Sequence, residues 1–345
     1  IHNFLCKKHI AINIPMILIK ATSGKSFPQL EQETILNAAE KSDVVLAYSC
    51  RTGRCSTCKC KVINGDTVPL VDEIGLSQKE KDEGWILTCV RSATSTLELE
   101  IEDLGDVILT KPALFPCRIN SIDKVSKHVV RVSLRLPPSS SFKILPGQYV
   151  DIIGPSGIKR SYSVANHVTD NILEFHIGEV DNGSLSHYWF GEAKINDLLR
   201  MNGPLGTFFL RSIKGQNLVF LATGTGIAPI KAIIESIKLL ALEEHPNSLT
   251  VFWGGRTLDD LYFDPSVDYK LLRYVPVLSR SDADWKGQQG YIQDAFLNEH
   301  PDLSNCVVYA CGSDKMIRSS YQILLKSGLP EKKFFSDAFL PSCPL

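Results

Sequence analysis

The fold of this chain is decided by YSCRTGRCSTCKC at residues 48–60, taken together with WILTCV at residues 85–90. Three cysteines in the first stretch follow the spacing C-x4-C-x2-C, and a fourth stands alone in the second. Three thiolates from one tight loop and one from a distant strand form the ligand set of a plant-type [2Fe–2S] cluster. Such a centre moves one electron at a time, so the sequence predicts electron transfer. The predicted iron ligands are Cys50, Cys55, Cys58 and Cys89.

Structural zinc and disulfides are the alternative roles for these cysteines. Zinc sites usually combine C-x2-C with a second close pair, whereas here the fourth ligand stands alone. Ten cysteines in 345 residues, most of them outside any even framework, suit a reducing compartment, and we therefore expect a cytoplasmic protein. Cys60 breaks the ligand spacing, so it is expected to be a small buried residue and not a ligand.

Length and composition limit the remaining possibilities. A chain of 345 residues suggests two or three domains. The formal net charge of −1 argues against binding to nucleic acid or to an anionic membrane surface, and no stretch is long and apolar enough to span a bilayer. Residues 1–15 precede Met16, and Pro15 interrupts their apolar run. We expect residues 1–15 to be an upstream extension and not a signal peptide.

Three segments follow one another along the chain. Residues 16–108 mix strand and helix patterns around the cluster loop, and TLELEIED at residues 96–103 alternates like an edge strand. Residues 113–212 contain short strands separated by turn residues, which indicates an antiparallel barrel. Residues 214–345 alternate strands with helices, which is the α/β pattern of a nucleotide-binding sheet.

The barrel segment carries two short motifs that suit a flavin. Arg160, Tyr162 and Ser163 form R-x-Y-S, and alternation along a strand places Arg160 and Tyr162 on one side. A flavin needs a cation for its pyrophosphate, an aromatic wall for its ring and a hydroxyl near the reactive N5. Gly183 and Ser186 form G-x-x-S at the start of a helix, where backbone N–H groups bind phosphate. Taken singly, these motifs also describe an ordinary strand and a plain helix cap.

The α/β segment offers a glycine-rich turn and a second strand end. NLVFLATGTGIAPIKAII at residues 217–234 predicts a strand, a turn and a helix, in which Gly224 and Gly226 permit close backbone approach. The spacing differs from G-x-G-x-x-G, so it is not the standard dinucleotide fingerprint. Cys311 and Gly312 end another strand, at the edge where ligands bind to open α/β sheets. A buried cysteine is otherwise usually inert.

Together these motifs resemble the ferredoxin–NADP reductase superfamily in its three-domain form, over nearly the whole chain from Met16. The resemblance implies a multidomain protein with a β-grasp [2Fe–2S] ferredoxin (α+β), an antiparallel Greek-key FAD β-barrel and an α/β parallel-sheet NAD domain. It implies electron flow from NADH to FAD, to the cluster and then to a partner protein. On this resemblance FAD is held by Arg160, Tyr162, Ser163, Gly183 and Ser186, the nicotinamide dinucleotide is held by Gly224, Thr225, Gly226, Cys311 and Gly312, and Ser163 and Cys311 lie beside the reacting atoms.

Further stretches bear on the coenzyme and the electron acceptor. GGRTLDDLYF at residues 254–263 lacks the clustered basic residues expected around a 2′-phosphate, which favours NADH. FFSDAF at residues 334–339 and GPLGTFFLR at residues 203–211 are similar to the CDP-6-deoxy-Δ3,4-glucoseen reductases of 3,6-dideoxysugar and O-antigen lipopolysaccharide synthesis. That branch implies a pyridoxamine-phosphate-dependent CDP-6-deoxy-hexulose 3-dehydrase as the partner.

Two other functions stay open at this point. One is the reductase component of a ring-hydroxylating or other multicomponent oxygenase, and the other is a redox sensor whose cluster is read by a signalling partner. A partner that accepts electrons is expected to dock at the exposed rim of the cluster loop. Arg51, Thr52 and Arg54 form this rim. Because the two arginines make it basic, an acidic patch on the partner would fit it.

Overall fold

The computed structural model describes residues 16–105, 107–267, 269–299 and 302–340. The chain divides into two units, Ile1–Ile108 and Leu109–Leu345. The upstream extension expected at residues 1–15 lies outside the described residues. Within the described ranges, no helix has both the length and the apolar composition needed to cross a membrane.

The first unit is built on a mixed five-stranded sheet in the order β2-β1-β7-β3-β5, with β1 and β7 parallel, and β4 pairs separately with β6. The Thr34 hydroxyl caps α1 by accepting the N–H of Asn37 (3.1 Å), and the helix buries Ile35, Leu36 and Ala39 on one face. This is the β-grasp arrangement. Its elements are β1 (Ile17–Ala21), β2 (Ser26–Gln29), α1 (Ile35–Lys41), β3 (Lys59–Asn64), β4 (Thr67–Pro69), α2 (Gln78–Asp82), β5 (Trp85–Leu87), β6 (Arg91–Ala93) and β7 (Leu97–Glu100).

Strand β7 is not the edge strand that its alternation suggested. It lies inside the sheet, paired with β1 on one side and with β3 on the other. Its alternation arises because Leu97 and Leu99 are buried in the core, whereas Glu98 and Glu100 point to the opposite face. Alternation reports which face of a sheet is buried and does not reveal whether a strand has one neighbour or two.

The second unit begins with a six-stranded antiparallel sheet in the order β11-β10-β13-β8-β9-β12. Its two outer strands, β11 and β12, approach each other. The N–H of Ala165, just after β11, donates to the carbonyl of Glu174 in β12 (2.7 Å). The sheet therefore curls into a barrel with Greek-key connections, as expected. Its elements are β8 (Ala113–Ser126), β9 (Val129–Arg135), β10 (Tyr149–Ile153), β11 (Lys159–Ser163), β12 (Ile172–Gly178), α3 (Ser184–His187) and β13 (Leu198–Leu205).

The same unit continues into a parallel six-stranded sheet in the order β17-β16-β15-β14-β18-β19. Successive strands are added on one side of β14 and then on the other, so a crevice opens at the carboxyl ends of β14, β15 and β18. Ligands bind at such a switch point. The elements are β14 (Asn217–Thr223), α4 (Ile227–Ile237), β15 (Ser248–Gly255), β16 (Leu272–Leu278), β17 (Gln288–Gln289), α5 (Ile292–Glu299), β18 (Cys306–Ser313), α6 (Asp314–Lys326) and β19 (Phe334–Phe339).

Candidate functional site

The cluster loop brings the four predicted cysteines together in two pairs. Cys50 lies beside Cys55, and Cys58 lies beside Cys89, each pair within reach of a thiol hydrogen bond. Backbone N–H groups face the sulfurs, with Cys50 N 3.5 Å from Cys55 Sγ and Thr52 N 3.4 Å from Cys50 Sγ. Two pairs of thiols are the arrangement that a [2Fe–2S] cluster requires, with two cysteines for each iron.

The ionisation of these thiols also suits iron. The hydrogen bond from Cys55 lowers the pKa of Cys50 to about 5, and the hydrogen bond from Cys58 lowers the pKa of Cys89. Each pair therefore favours one thiolate, which is the form that binds metals. Cys60 behaves differently, because burial raises the pKa of its thiol. It packs in the core of the first unit, as its spacing predicted.

The segment after β4 that contains Gly75 is hydrogen-bonded to the cluster loop. The Ser56 hydroxyl donates to the carbonyl of Gly75 (2.6 Å), and the Gly75 N–H donates to the carbonyl of Gly53 (2.8 Å). Gly53 has φ +72°, and a Cβ there would lie 2.8 Å from the carbonyl oxygen of Asp72. Its own N–H points at Cys89. Only glycine combines this left-handed backbone with so close an approach.

Arg51 does not take part in a free basic rim as expected. Its guanidinium forms an ion pair with Glu40 of α1 and lies 4.1 Å above the centre of the Tyr48 ring. A cation that is already paired with a carboxylate contributes little charge to an outside partner. Arg51 instead fastens the cluster loop to α1, while Thr52 is exposed and Arg54 is half-buried.

In the barrel, β11 presents Arg160 and Tyr162 from the same side, because they lie two residues apart on a strand. The Tyr162 hydroxyl accepts a hydrogen bond from Trp189 Nε1 (3.2 Å), which fixes the ring. Burial raises the pKa of Tyr162 to about 12, so the hydroxyl stays neutral. The Arg160 guanidinium donates to the carbonyl of Lys159 (2.7 Å). A cation and an oriented aromatic ring thus stand next to each other on one strand.

The G-x-x-S motif lies where α3 begins. Gly183 immediately precedes the helix, and the Ser186 hydroxyl accepts the N–H of Val180 (2.8 Å). The hydroxyl therefore fastens the preceding turn, and the backbone at the helix start remains available. Both residues line an open cleft of about 890 Å³, a size typical of sites for large organic ligands.

The glycine-rich turn packs backbone against backbone on the end of β18. A Cβ on Gly226 would lie 2.6 Å from the carbonyl carbon of Cys311 and 2.7 Å from Gly312 Cα. Gly312 has φ +132°, and a Cβ there would collide with Thr223. Gly224 has φ +53° and open space around it. The turn and the strand end therefore form one surface at the crevice.

The barrel approaches the glycine-rich turn and the strands beside it at the following two places. A Cβ built on Gly178, at the end of β12, would lie 3.5 Å from Cγ2 of Thr225 in the turn. Ser163 Oγ lies 3.4 Å from Asp337 Oδ2 in β19, and β19 pairs with β18 so that Asp337 is opposite Cys311. Ser163 of the barrel and Cys311 of the parallel sheet are therefore both neighbours of the Asp337 carboxylate.

Asp337 is the site residue that the sequence motifs did not identify. Asp337 lies in FFSDAF, and in the sequence this stretch indicates only which branch of the family the chain resembles. Asp337 is 4% exposed. Burial raises the pKa of the Cys311 thiol, and Asp337 raises it further. Cys311 is fully buried and protonated, so it is suited to packing and positioning and not to nucleophilic attack.

Comparisons with known proteins agree with this geometry. Sequence models match the "2Fe-2S iron-sulfur cluster binding domain" at residues 19–94, the "Oxidoreductase FAD-binding domain" at 116–210 and the "Oxidoreductase NAD-binding domain" at 220–322. The chain is 38% identical over 325 residues to the CDP-6-deoxy-L-threo-D-glycero-4-hexulose-3-dehydrase reductase of Yersinia pseudotuberculosis serotype I (strain IP32953), covering 93% of this chain and 97% of the relative. The chain belongs to the three-domain ferredoxin reductase family.

Other members of this family are more distant. Protein RfbI of Salmonella typhimurium (strain LT2) is 34% identical, covering 93% of this chain and 95% of the relative. The reductase component of the naphthalene 1,2-dioxygenase/salicylate 5-hydroxylase systems of Ralstonia sp is 27% identical, covering 90% and 94%. The crystal structure of the Amycolatopsis cytochrome P450 reductase GcoB superposes with a TM-score of 0.73 at 26% identity, covering 94% and 99%.

Membership of this family confirms the fold class and the chemistry that the motifs predicted. The protein is an NAD(P)H-dependent oxidoreductase whose cofactors are a [2Fe–2S] cluster, FAD and NADH. Its relatives are electron-transfer reductases.

Proposed function

We propose that this reductase passes electrons from NADH through FAD and the cluster to a CDP-6-deoxy-hexulose 3-dehydrase of dideoxysugar synthesis. The observation that carries the acceptor is the 38% identity, along nearly the full length of both chains, to a reductase named for that dehydrase. The oxygenase reductase of Ralstonia sp is 27% identical over a similar span. When bound, FAD accepts a hydride, which is two electrons, and releases them singly to the cluster.

Four thiols in two pairs are the proposed iron ligands. Cys50 and Cys55 would hold one iron, and Cys58 and Cys89 the other, because these are the pairs that lie together. The N–H groups of Cys50 and Thr52, which face the sulfurs, donate to the ligands and favour the reduced, more negative state of the centre. The loop residues thus tune the potential as well as holding the metal.

Arg160, Tyr162, Gly183 and Ser186 are the proposed FAD-binding residues. The Arg160 fork can contact a pyrophosphate at two points, and the backbone N–H groups after Gly183 can contact the same group. Tyr162, whose ring is fixed by Trp189, supplies a flat wall for the flavin.

The turn from Gly224 to Gly226, with Thr225 at its apex, and the strand end at Cys311 and Gly312 are the proposed seat of the nicotinamide dinucleotide. Ser163 directs its hydroxyl proton at Asp337, so its lone pairs are free to accept a hydrogen bond from the flavin. Asp337 thereby orients a flavin-side group and lies opposite Cys311 on the nicotinamide side. The Asp337 carboxylate thus helps to position both the flavin and the nicotinamide.

Reconstitution tests the acceptor directly. The holoenzyme is mixed with NADH, the pyridoxamine-phosphate-dependent dehydrase and its CDP-hexulose substrate, and 3-deoxysugar is measured. A parallel reaction replaces the dehydrase by a ring-hydroxylating oxygenase component. Product in the first reaction and slow reduction in the second support the proposal, and the reverse supports the oxygenase alternative. A fully assembled protein that fails to oxidise NADH with ferricyanide would instead indicate a sensor.

A further inference from the structure

The buried side chains of His176 and Trp253 and the half-buried side chain of Tyr262 join the barrel to the glycine-rich turn. The hydroxyl of Tyr262, which follows β15, lies 3.0 Å from Nδ1 of His176 in β12. The Tyr262 ring packs edge-on against Trp253 of β15, with centroids 5.0 Å apart at 89°. Trp253 Nε1 donates to the carbonyl oxygen of Gly224 (3.0 Å). An unbroken line of contacts thus runs from the barrel to the first residue of the turn.

The polar partners fix the direction of each hydrogen bond in this line. Glu174 Oε1 lies 3.0 Å from His176 Nε2, and a carboxylate only accepts, so Nε2 carries the imidazole proton. Burial lowers the pKa of His176, although Glu174 opposes this effect. The ring is therefore neutral near pH 7, and its Nδ1 accepts the proton of the Tyr262 hydroxyl. Burial also raises the pKa of Tyr262, which keeps this proton in place.

The other end of the network is anchored to α4, the helix that follows the turn. Lys231 Nζ lies 3.1 Å from Glu174 Oε1 and 2.7 Å from Glu235 Oε1, and it donates to the carbonyl of Ala165 (3.2 Å). Glu235 Oε2 in turn accepts the N–H of His167 (2.7 Å). The barrel therefore holds α4 through the Lys231–Glu174 ion pair and these hydrogen bonds, and it holds β15 through Tyr262. The glycine-rich turn directly precedes α4 in the chain and is hydrogen-bonded to β15 through Trp253, so both elements that the barrel holds border the turn.

We infer that Tyr262 is a positioning residue for hydride transfer, because its hydroxyl, held by His176, sets the turn against the flavin side of the barrel. The inference rests on the proposed nicotinamide role of that turn. Gly178, which approaches Thr225 in the turn, is two residues beyond His176 on the same strand. The link therefore acts close to the point where barrel and turn touch. Hydride transfer is sensitive to such placement, since a misplacement of about 1 Å can cost about 100-fold in rate.

The first test is Tyr262→Phe in the holoenzyme. This variant loses the hydroxyl and keeps the ring against Trp253. In anaerobic stopped flow at saturating NADH, we expect flavin reduction to slow about fivefold, the factor that corresponds to one net hydrogen bond. FAD content and the rate of electron transfer from reduced flavin to the cluster should not change. The matched control is Tyr274→Phe, because Tyr274 on β16 also packs near Trp253, and its loss of hydroxyl should leave flavin reduction unchanged.

Two His176 variants separate positioning from stability. His176→Asn places a polar atom where Nδ1 lies and so keeps a partner for Tyr262, whereas His176→Gln reaches towards Glu174 and leaves Tyr262 without its partner. We expect His176→Asn to keep the rate of flavin reduction within about twofold of wild type, and His176→Gln to match Tyr262→Phe. The difference in flavin-reduction rate between His176→Asn and His176→Gln should not be explained by a difference in their Tm values.

Two outcomes would overturn the inference. One is a wild-type rate in Tyr262→Phe with normal FAD content. The other is an equal loss of rate in both His176 variants in proportion to lost stability, which would make the network merely structural. Every readout stays within the reductase's own cofactors, so an error in the proposed acceptor does not affect them. An error in the proposed role of the turn would appear separately, as a Gly226→Ala enzyme that NADH reduces normally.

Discussion

Replacing Gly226 by alanine tests the glycine-rich turn with a single methyl group. The added Cβ would lie 2.6 Å from the carbonyl carbon of Cys311 and 2.7 Å from Gly312 Cα, whereas real Cβ atoms essentially never come within 3.0 Å of another heavy atom. Backbone atoms cannot rotate away as a side chain can. The Cβ would lie closer still to the Cys311 carbonyl oxygen. The turn and the end of β18 must therefore separate by more than about 0.4 Å, the shortfall of the 2.6 Å distance from 3.0 Å.

This separation should cost stability and rate together. Overpacking of a close contact costs about 1–3 kcal/mol, so the protein should fold with a lower Tm. The φ of Gly226 is −59°, which alanine adopts without strain, so no backbone term is added. Because about 1 Å of misplacement can cost about 100-fold, we expect a shift of this size to slow flavin reduction by NADH roughly tenfold.

The matched control for Gly226→Ala is Gly215→Ala. Gly215 has φ +71° and open space around it, and it precedes β14, whereas the turn follows that strand. This variant should lose about 1–2 kcal/mol through left-handed strain and keep its rate. Thermal unfolding and anaerobic stopped flow over a range of NADH concentrations measure both quantities. A Gly226→Ala enzyme with the wild-type rate and KM would refute the reasoning.

Three further outcomes are expected. Cys89→Ser should lose most of its iron and visible absorbance, whereas Cys60→Ser should keep both; iron analysis that finds the reverse would contradict the ligand assignment. Asp337→Asn should slow flavin reduction about tenfold or more, as for a lost charge-assisted hydrogen bond, with FAD content unchanged; an unaltered stopped-flow rate would remove Asp337 from the site. Glu174 is mostly buried, which alone would raise its pKa, but the hydrogen bond from His176 and the charge of Lys231 lower that pKa from an ordinary 4.5 to about 2. Because a lowered carboxyl pKa stabilises the fold above the unfolded value, urea unfolding should show stability falling as the pH drops from about 4.5 towards 2, and less steeply in Glu174→Gln.

The cysteine motif and the R-x-Y-S and glycine-rich motifs could be recognised from sequence because each is local. A cluster or a phosphate imposes a spacing that a few adjacent residues must satisfy, so Cys50, Arg160 and Gly226 are visible without a structure. Asp337 is different, since its partner Ser163 is 174 residues away in the chain. Nothing near either residue encodes that contact, which arises only when β19 is placed beside β18.

Two other features were hidden for the same reason. Arg51 belongs to a charged stretch of the cluster loop, and its pairing with Glu40 depends on where α1 packs. The inner position of β7 depends on its parallel pairing with β1 at the opposite end of the unit. In both cases the local pattern is correct, because Arg51 is a cation and β7 alternates. The sequence does not reveal which residue or strand lies next to each of them in the fold, namely Glu40 beside Arg51 and β1 beside β7.

The division of the four cysteines into three and one bears on how the protein matures. Cys50, Cys55 and Cys58 share one loop, but Cys89 follows β5 and reaches Cys58 only when β5 has paired with β3, where Leu87 is opposite Lys59. With the proposed ligand set, a chain in which β5 has not paired with β3 brings only the three loop cysteines together. We therefore expect iron insertion to require this strand pairing, and a substitution that disrupts β5 to yield iron-poor protein even with an intact loop.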